Sequence, residues 1–227
     1  MKQSIKVSVD AVVFGYDQEQ EISILLIKRK FEPFQKFWAL PGGLVKDDEA
    51  LEDAVRRELK EEAGIDVNYL EQLYSFGKPD RDPRNRVVSV AYFGLVRPAD
   101  YQLSAQTDAE DVAWFSIKKL PRLAFDHKAI LEMAIKRLRG KLAYEPIGFE
   151  LLDKKFPFSD LEKLYQILLD RELDRRNFKK KIMSYGFLEE LNEIVQKKSG
   201  RPARLFQFNK KKYFELKEKG YNFDIFF

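Results

Sequence analysis

Three glutamates on one short helix constrain this chain more than any other feature. Between Leu51 and Ala63 the residues are good helix formers, and Gly64 supplies a stop. On a helical wheel at roughly 100° per residue, Leu51, Ala54, Val55, Leu59 and Ala63 make one apolar face. Glu58 and Glu62 fall within that face and Glu61 lies at its edge, while Asp53, Arg56 and Lys60 take the other side. A carboxylate on a buried face must be paired, protonated or metal-bound. Three of them within two turns repel one another. A hard divalent cation with oxygen ligands resolves the repulsion, and Mg²⁺ usually bridges such carboxylates to a phosphate. A glutamate cluster taken alone also fits a charged surface helix, with Glu58 and Glu62 at the margin of a core.

The surrounding spacing narrows the choice. Gly43, Glu49, Arg57, Glu58, Leu59, Glu61, Glu62, Gly64 and Ile65 stand at every fixed position of the Nudix box, and the chain resembles that family over these 23 residues. The resemblance implies hydrolysis of nucleoside diphosphates linked to another moiety. It implies an α/β/α sandwich with a mixed sheet, beside which the box forms a loop, a helix and a loop. It also implies Mg²⁺ or Mn²⁺ held by Glu58, Glu61 and Glu62, with a backbone carbonyl near Gly42 or Gly43 completing the shell. Gly43 and the pair Glu49–Arg57 would be structural, the pair holding the loop against the helix.

The flanking sequence reads as strands at 5–16, 21–30, 67–76, 87–96 and 112–117. Trp38-Ala39-Leu40-Pro41-Gly42-Gly43 leads into the box as in Nudix proteins. Trp38 fits a core aromatic equally well. The polar loop Gly77 to Arg86 carries Arg81, Arg84 and Arg86, whose guanidiniums match the oxygens of a diphosphate; internal pairing with Asp80 and Asp82 is the alternative. Many Nudix enzymes place a further glutamate before the next, Trp-containing strand. Glu110 is the candidate for that catalytic role, then Asp108, against a reading of both as solvated acids. Asp126 is positioned to cap a helix reaching about Arg139. His127, the only histidine, reads as structural, since the sequence shows it no partner for nucleophilic catalysis.

Charge divides the chain. Residues 1–150 carry 23 Lys/Arg against 25 Asp/Glu, whereas residues 151–227 carry 18 against 12. A near-neutral first part and a basic second part suggest two modules, the second with an anionic partner. A basic surface kept for solubility is the blander account. There is no cysteine, which fits a reducing cytoplasm. No signal peptide and no apolar run of membrane-spanning length is expected.

In the basic part, Ser159-Asp160-Leu161-Glu162 has the form of a capping box opening one helix. After a break at Arg171 to Leu173, Asp174 is placed to cap a second helix, from Arg175 to Tyr185, stopped by Gly186. Phe178 and Ile182 point inward. Two strands follow, at 187–196 and 204–209, around a basic tip at 197–202. Helix, helix, strand, wing, strand is the winged-helix order, with the second helix suited to the DNA major groove. A winged helix serving protein contacts is the alternative. Base readout falls to Arg175, Arg176 and Asn177, and phosphate contacts to Lys179, Lys180, Lys198, Arg201 and Arg204.

The expectation is therefore an α/β chain: a Nudix domain over 1–142 and a winged helix-turn-helix over 143–227. Asp80 to Tyr92 is also similar to the Nudix branch that holds ADP-ribose-type hydrolases and the Nudix-related transcriptional regulators of NAD and sugar metabolism. That resemblance implies a cytoplasmic homodimeric regulator that binds an ADP-ribose-like molecule and double-stranded DNA, away from membranes. The intact acidic box implies retained hydrolysis. A plain ADP-ribose pyrophosphatase with a dimerising tail, and a sugar-responsive regulator without hydrolysis, are the alternatives.

Overall fold

The computed structural model describes residues 4–16, 21–105, 109–196, 202–221 and 223, which form two compact units, Met1–Arg137 and Leu138–Phe227. The first is built on a mixed sheet. Strands β1 (Lys6–Tyr16), β2 (Ile22–Arg29), β3 (Trp38–Ala39), β5 (Tyr69–Phe76) and β6 (Val87–Val96) run in the order β3-β2-β1-β6-β5. Strand β4 (Gly42–Leu44) pairs with β1, and β7 (Ala109–Ser116) pairs with β2. Among the described strand pairs, β1 and β6 run parallel. They are the central pair, and Val9 to Phe14 is a run without exposed residues, as expected of strands covered on both faces.

Helix α1 (Leu51–Ala63) covers one face. Its Ala54, Val55, Leu59 and Ala63 lie in one cluster with Val9, Ala11 and Val13 of β1 and Val90 and Tyr92 of β6. No side chain caps its start; Glu52 and Asp53 in the first turn complement the helix dipole instead. Gly64, at φ 73°, closes it in the left-handed conformation. Strand alternation sends Val12, Phe14, Leu26 and Phe93 to the opposite face, where they are also sealed from solvent. Helix α2 (His127–Lys141) buries Ile130, Leu131, Ala134 and Leu138 and is tied to β5 by Arg137 Nη2 donating to the Leu73 carbonyl at 3.2 Å. The division between the compact units falls inside α2, and the boundary expected after residue 142 lies just beyond its last residue.

The second unit contains β8 (Lys155–Pro157), α3 (Phe158–Leu169), α4 (Arg175–Ser184), β9 (Leu188–Val195), β10 (Ala203–Phe208) and α5 (Lys210–Glu218), with its three strands in the order β8-β10-β9. Its core is aromatic. Phe149 stacks on Phe208 at 4.0 Å between centroids, and Phe178 of α4 meets Tyr165 at 5.1 Å and Phe158 at 5.8 Å. The expected capping box does not form. Helix α3 starts one residue before Ser159, with Pro157 at the N-cap and no side-chain cap, because Phe158 is drawn into the core and becomes helical with it. The second expected cap does form: Asp174 accepts from the Asn177 amide at 2.8 Å. The short edge strand β8 had no sequence expectation, nor had helix α5, which is capped by Asn209 accepting from the Lys212 amide.

Candidate ligand site and nucleic-acid interface

The box is organised by Arg57. Its Nε and Nη2 grip the two Glu49 oxygens at 2.6 and 2.9 Å, and Nη2 also reaches the Leu44 carbonyl at 3.2 Å. This bidentate grip holds the loop before α1 against the helix and keeps the Glu49 carboxyl well down, at about 2. The remaining nitrogen, Nη1, lies 2.7 Å from Glu58 Oε1 and 3.2 Å from Glu61 Oε2. Burial pushes the Glu58 carboxyl up, and its bond to Arg57 opposes that shift. Glu62, 4 % exposed, accepts the Gly42 amide at 2.8 Å and so ties α1 to β4.

The two glycines are needed where they stand. A Cβ on Gly42 would lie 2.2 Å from the Val9 carbonyl oxygen, in the pairing of β4 with β1. A Cβ on Gly43 would lie 2.2 Å from Glu58 Oε1, so the Glu58 carboxylate occupies the space that a side chain would fill. Among the described residues no three acidic, histidine or cysteine side chains converge closely enough to hold a metal ion. Glu58 and Glu61 turn to Arg57, which supplies the positive charge between them, and Glu62 turns to Gly42. The donor set still suits Mg²⁺ or Mn²⁺: hard carboxylate oxygens three and four residues apart on one helix, one of them seated against bare backbone at Gly43.

Behind the box lies a buried polar network. Arg81, 8 % exposed, donates from Nη2 to Asp10 at 3.1 Å and to Asp126 at 2.8 Å, and from Nε to Asp126 at 3.0 Å. Ser89 Oγ donates to the same Asp10 carboxylate. His127 Nδ1 accepts the Leu40 amide at 2.8 Å, which leaves Nε2 to carry the proton, 3.4 Å from Asp10 Oδ1. Arg81 thus differs from the expected phosphate clamp. Its charge is spent inside the fold, on partners other than the neighbouring Asp80 and Asp82. Histidine 127 is structural as expected, and the structure supplies the partner that the sequence hid. One signal pointed there: Asp10 is the lone carboxylate of β1, set directly before the apolar run Ala11 to Phe14.

The other loop arginines are placed differently. Arg84 is held flat by Asp82, with Nε at 3.1 Å and Nη2 at 2.8 Å, and its side chain stays 51 % exposed. Arg86 donates to the Lys78 and Val87 carbonyls. Glu110 stands inside β7 rather than in the loop before it, where the β2–β7 register shifts, and it pairs with Lys28 at 3.8 Å. Asp108 lies outside the described residues.

In the second unit α4 buries Phe178 and Ile182. Arg175, Arg176, Lys179, Lys180 and Met183 line an open depression of about 530 Å³ on that helix. Asn177 is exposed beside them. Arg175 pairs with Glu162 at 3.3 Å, Arg204 pairs with Glu190 at 3.3 Å, and Lys179 lies over the rings of Phe158 and Phe206. Lys198 and Arg201, in the expected wing tip, lie outside the described residues.

A layered mixed sheet with a glutamate-bearing helix against it, followed by a winged helix, is the architecture of a Nudix protein fused to a DNA-binding module. Residues 5–134 match the NUDIX domain and residues 148–208 the NrtR DNA-binding winged helix domain. The chain is similar to the ADPR responsive transcriptional repressor NtrR of Acinetobacter baylyi, 37% identical over 206 residues, which are 88% of this chain and 81% of that protein. It is also similar to the ADP-ribose pyrophosphatase of Methanocaldococcus jannaschii, 40% identical over 126 residues, 56% of this chain and 70% of that protein. Among solved structures, Shewanella oneidensis NrtR complexed with a 27mer DNA superposes with a TM-score of 0.79 at 28% identity, over 96% of this chain and 97% of that one. The chain belongs to the Nudix family, in its branch of transcriptional regulators with an NrtR-type winged helix.

Proposed function

We propose that this regulator senses an ADP-ribose-like nucleoside diphosphate in its Nudix unit, hydrolyses it with Mg²⁺ or Mn²⁺, and binds operator DNA as a cytoplasmic homodimer through its winged helix. The observation that carries the reading is the coexistence in one chain of a complete acidic box on α1 and a capped helix, α4, whose outer face is basic. The relatives' names agree with both halves. No helix among the described residues is long and apolar enough to cross a membrane.

Glu58, Glu61 and Glu62 are the residues that would hold the metal ion, whose bound form supplies an activated water and offsets charge on the leaving phosphate. Arg57 holds the Glu58 and Glu61 carboxylates close together at the rim of the box. The Gly42 amide fixes Glu62, and the bare backbone at Gly43 lets the Glu58 carboxylate seat against it. Arg84, splinted by Asp82, presents a guanidinium plane to the diphosphate, and Arg86 stands on the same loop. Arg81 acts from behind by anchoring that loop. Glu110 is assigned as a base or further ligand.

On DNA, Asp174 sets the start of α4. Arg175, Arg176 and Asn177 read bases, and Lys179, Lys180, Lys198, Arg201 and Arg204 hold phosphates. Two measurements test the proposal. Glu62→Gln should lower the turnover of ADP-ribose by orders of magnitude, and wild-type protein inert towards a panel of nucleoside diphosphate compounds with either metal would remove the enzymatic half. Mobility shifts on the chain's own upstream DNA, with and without ADP-ribose or L-arabinose, test the regulatory half. No preference for that DNA over random duplex would leave a plain hydrolase as the better account.

A further inference from the structure

We infer that the buried pair Asp10 and His127 are positioning residues for the Glu62 carboxylate, acting on it through the backbone of Leu40-Pro41-Gly42. This rests on the reading of Glu62 as a metal ligand. Each residue of that segment is held by a bond. The Leu40 amide donates to His127 Nδ1 at 2.8 Å, the Pro41 carbonyl accepts the Ala11 amide at 2.9 Å, and the Gly42 amide donates to Glu62 Oε2 at 2.8 Å. The first bond comes from the start of α2, the second from β1, and the third goes to α1. Proline fixes φ in the middle of the segment, so a shift of the Leu40 amide is passed on to Gly42 with little room to be absorbed.

The pair is built to present an acceptor. A backbone amide can donate only to an imidazole nitrogen that carries no proton. Asp10 Oδ1, 3.4 Å from His127 Nε2, favours the proton there and leaves Nδ1 to accept. Asp10 is itself fixed, by Arg81 Nη2 at 3.1 Å and by Ser89 Oγ, and Arg81 also grips Asp126, the residue before His127. The same carboxylate lies against Gly42. Asp10 and Gly42 are register partners between β1 and β4, and a Cβ on Gly42 would stand 3.0 Å from Asp10 Oδ1. The pair therefore meets the segment at both ends, by a hydrogen bond at Leu40 and by close packing at Gly42. Asp10, Leu40, Glu62 and His127 are each no more than 5 % exposed, so water is poorly placed to replace these contacts. Metal sites draw affinity from outer partners of this kind, which orient a ligand before the ion arrives.

The test is Mn²⁺ binding to the full chain, followed by calorimetry, with circular dichroism checking the fold of each variant. His127→Leu fills the space without an acceptor and should weaken Mn²⁺ roughly tenfold, the lower end of what lost outer-shell partners cost. His127→Asn restores an acceptor near the Nδ1 position and should recover most of that loss, whereas a side chain that only filled space would be replaced better by Leu. In a Glu62→Gln background His127→Leu should cost almost nothing more, because its effect runs through Glu62; a general loosening of the fold would add to the loss instead. If His127→Leu does not fold, Asp10→Asn decides: it keeps the shape, removes the charge that orients the imidazole, and should weaken Mn²⁺ several-fold. Wild-type affinity in the folded variant, or losses that add to that of Glu62→Gln, overturns the positioning role while the metal reading stands. Wild-type protein that binds no Mn²⁺ overturns both.

Discussion

Removing the Arg81 guanidinium would leave the Asp10 carboxylate, 5 % exposed, with Ser89 and His127 as partners among the described residues. A buried charge that loses its counter-ion is expensive, so Arg81→Ala should lower stability by about 3–5 kcal/mol in urea unfolding. A change of only a few tenths would mean that the network is far more hydrated than its burial implies. His127 gives the same network a pH dependence. Burial holds its imidazole below the usual 6.5, although Asp10 and Asp126 pull it up; Arg81 and Arg29 push it further down. The folded state therefore keeps the ring neutral where the unfolded chain protonates it. The unfolded chain binds more protons over that interval, so stability rises with pH there. The stabilisation is complete above pH 6.5 and is lost as pH falls from 6.5 towards the depressed folded value. Protonation also costs the Leu40 amide its acceptor. Unfolding titrations should show this decline from pH 6.5 downwards in wild-type protein and a flatter profile in His127→Gln.

Among the elements, α4 is started by a single local contact, its Asp174 cap. Its outer face is nearly all cationic, so its placement rests on Phe178 and Ile182 inside and on Asp174 at its start. Asp174→Ala removes the acceptor for the Asn177 amide and should cost about 1 kcal/mol, as lost N-caps do. It should weaken specific DNA more than random duplex, because the residues assigned to base readout are those in the first turn. Equal weakening of both would reduce Asp174 to a general structural role. Helix α1 is built the other way. It has no capping side chain, and it is fixed from outside by Glu62 on β4 and by Arg57 on the preceding loop. Its start is therefore set by tertiary contacts, while that of α4 is set locally by Asp174.

For the whole molecule, regulation reduces to a coupling free energy. A ligand in the Nudix unit releases DNA only if it binds the free protein more tightly than the DNA-bound protein. The two effects are reciprocal: whatever factor ADP-ribose costs DNA binding, operator DNA must cost ADP-ribose binding. Paired titrations in both directions should return the same factor. Unequal factors would point to hydrolysis or a change of assembly during the measurement. Salt separates the two interfaces as well, since DNA affinity should fall steeply with added salt, with a slope that flattens when a phosphate-holding lysine is removed.

The legible parts of this protein are those in which chemistry is written at short range. The box could be read because its carboxylates and Arg57 lie within one helix and the turn before it. The winged helix could be read because Asp174, the inward pair Phe178 and Ile182, and Gly186 punctuate one helix. Where a local signal competed with the core, the core won: Ser159 lost its cap once burial of Phe158 drew the helix start forward. The Asp10–Arg81–Asp126–His127 network was not legible, because Arg81 meets partners 71 and 45 residues away while two aspartates stand beside it in sequence. Spacing along a helix fixes which side chains share a face. Only the sheet, by bringing distant segments into register, decides which charge each of those faces meets.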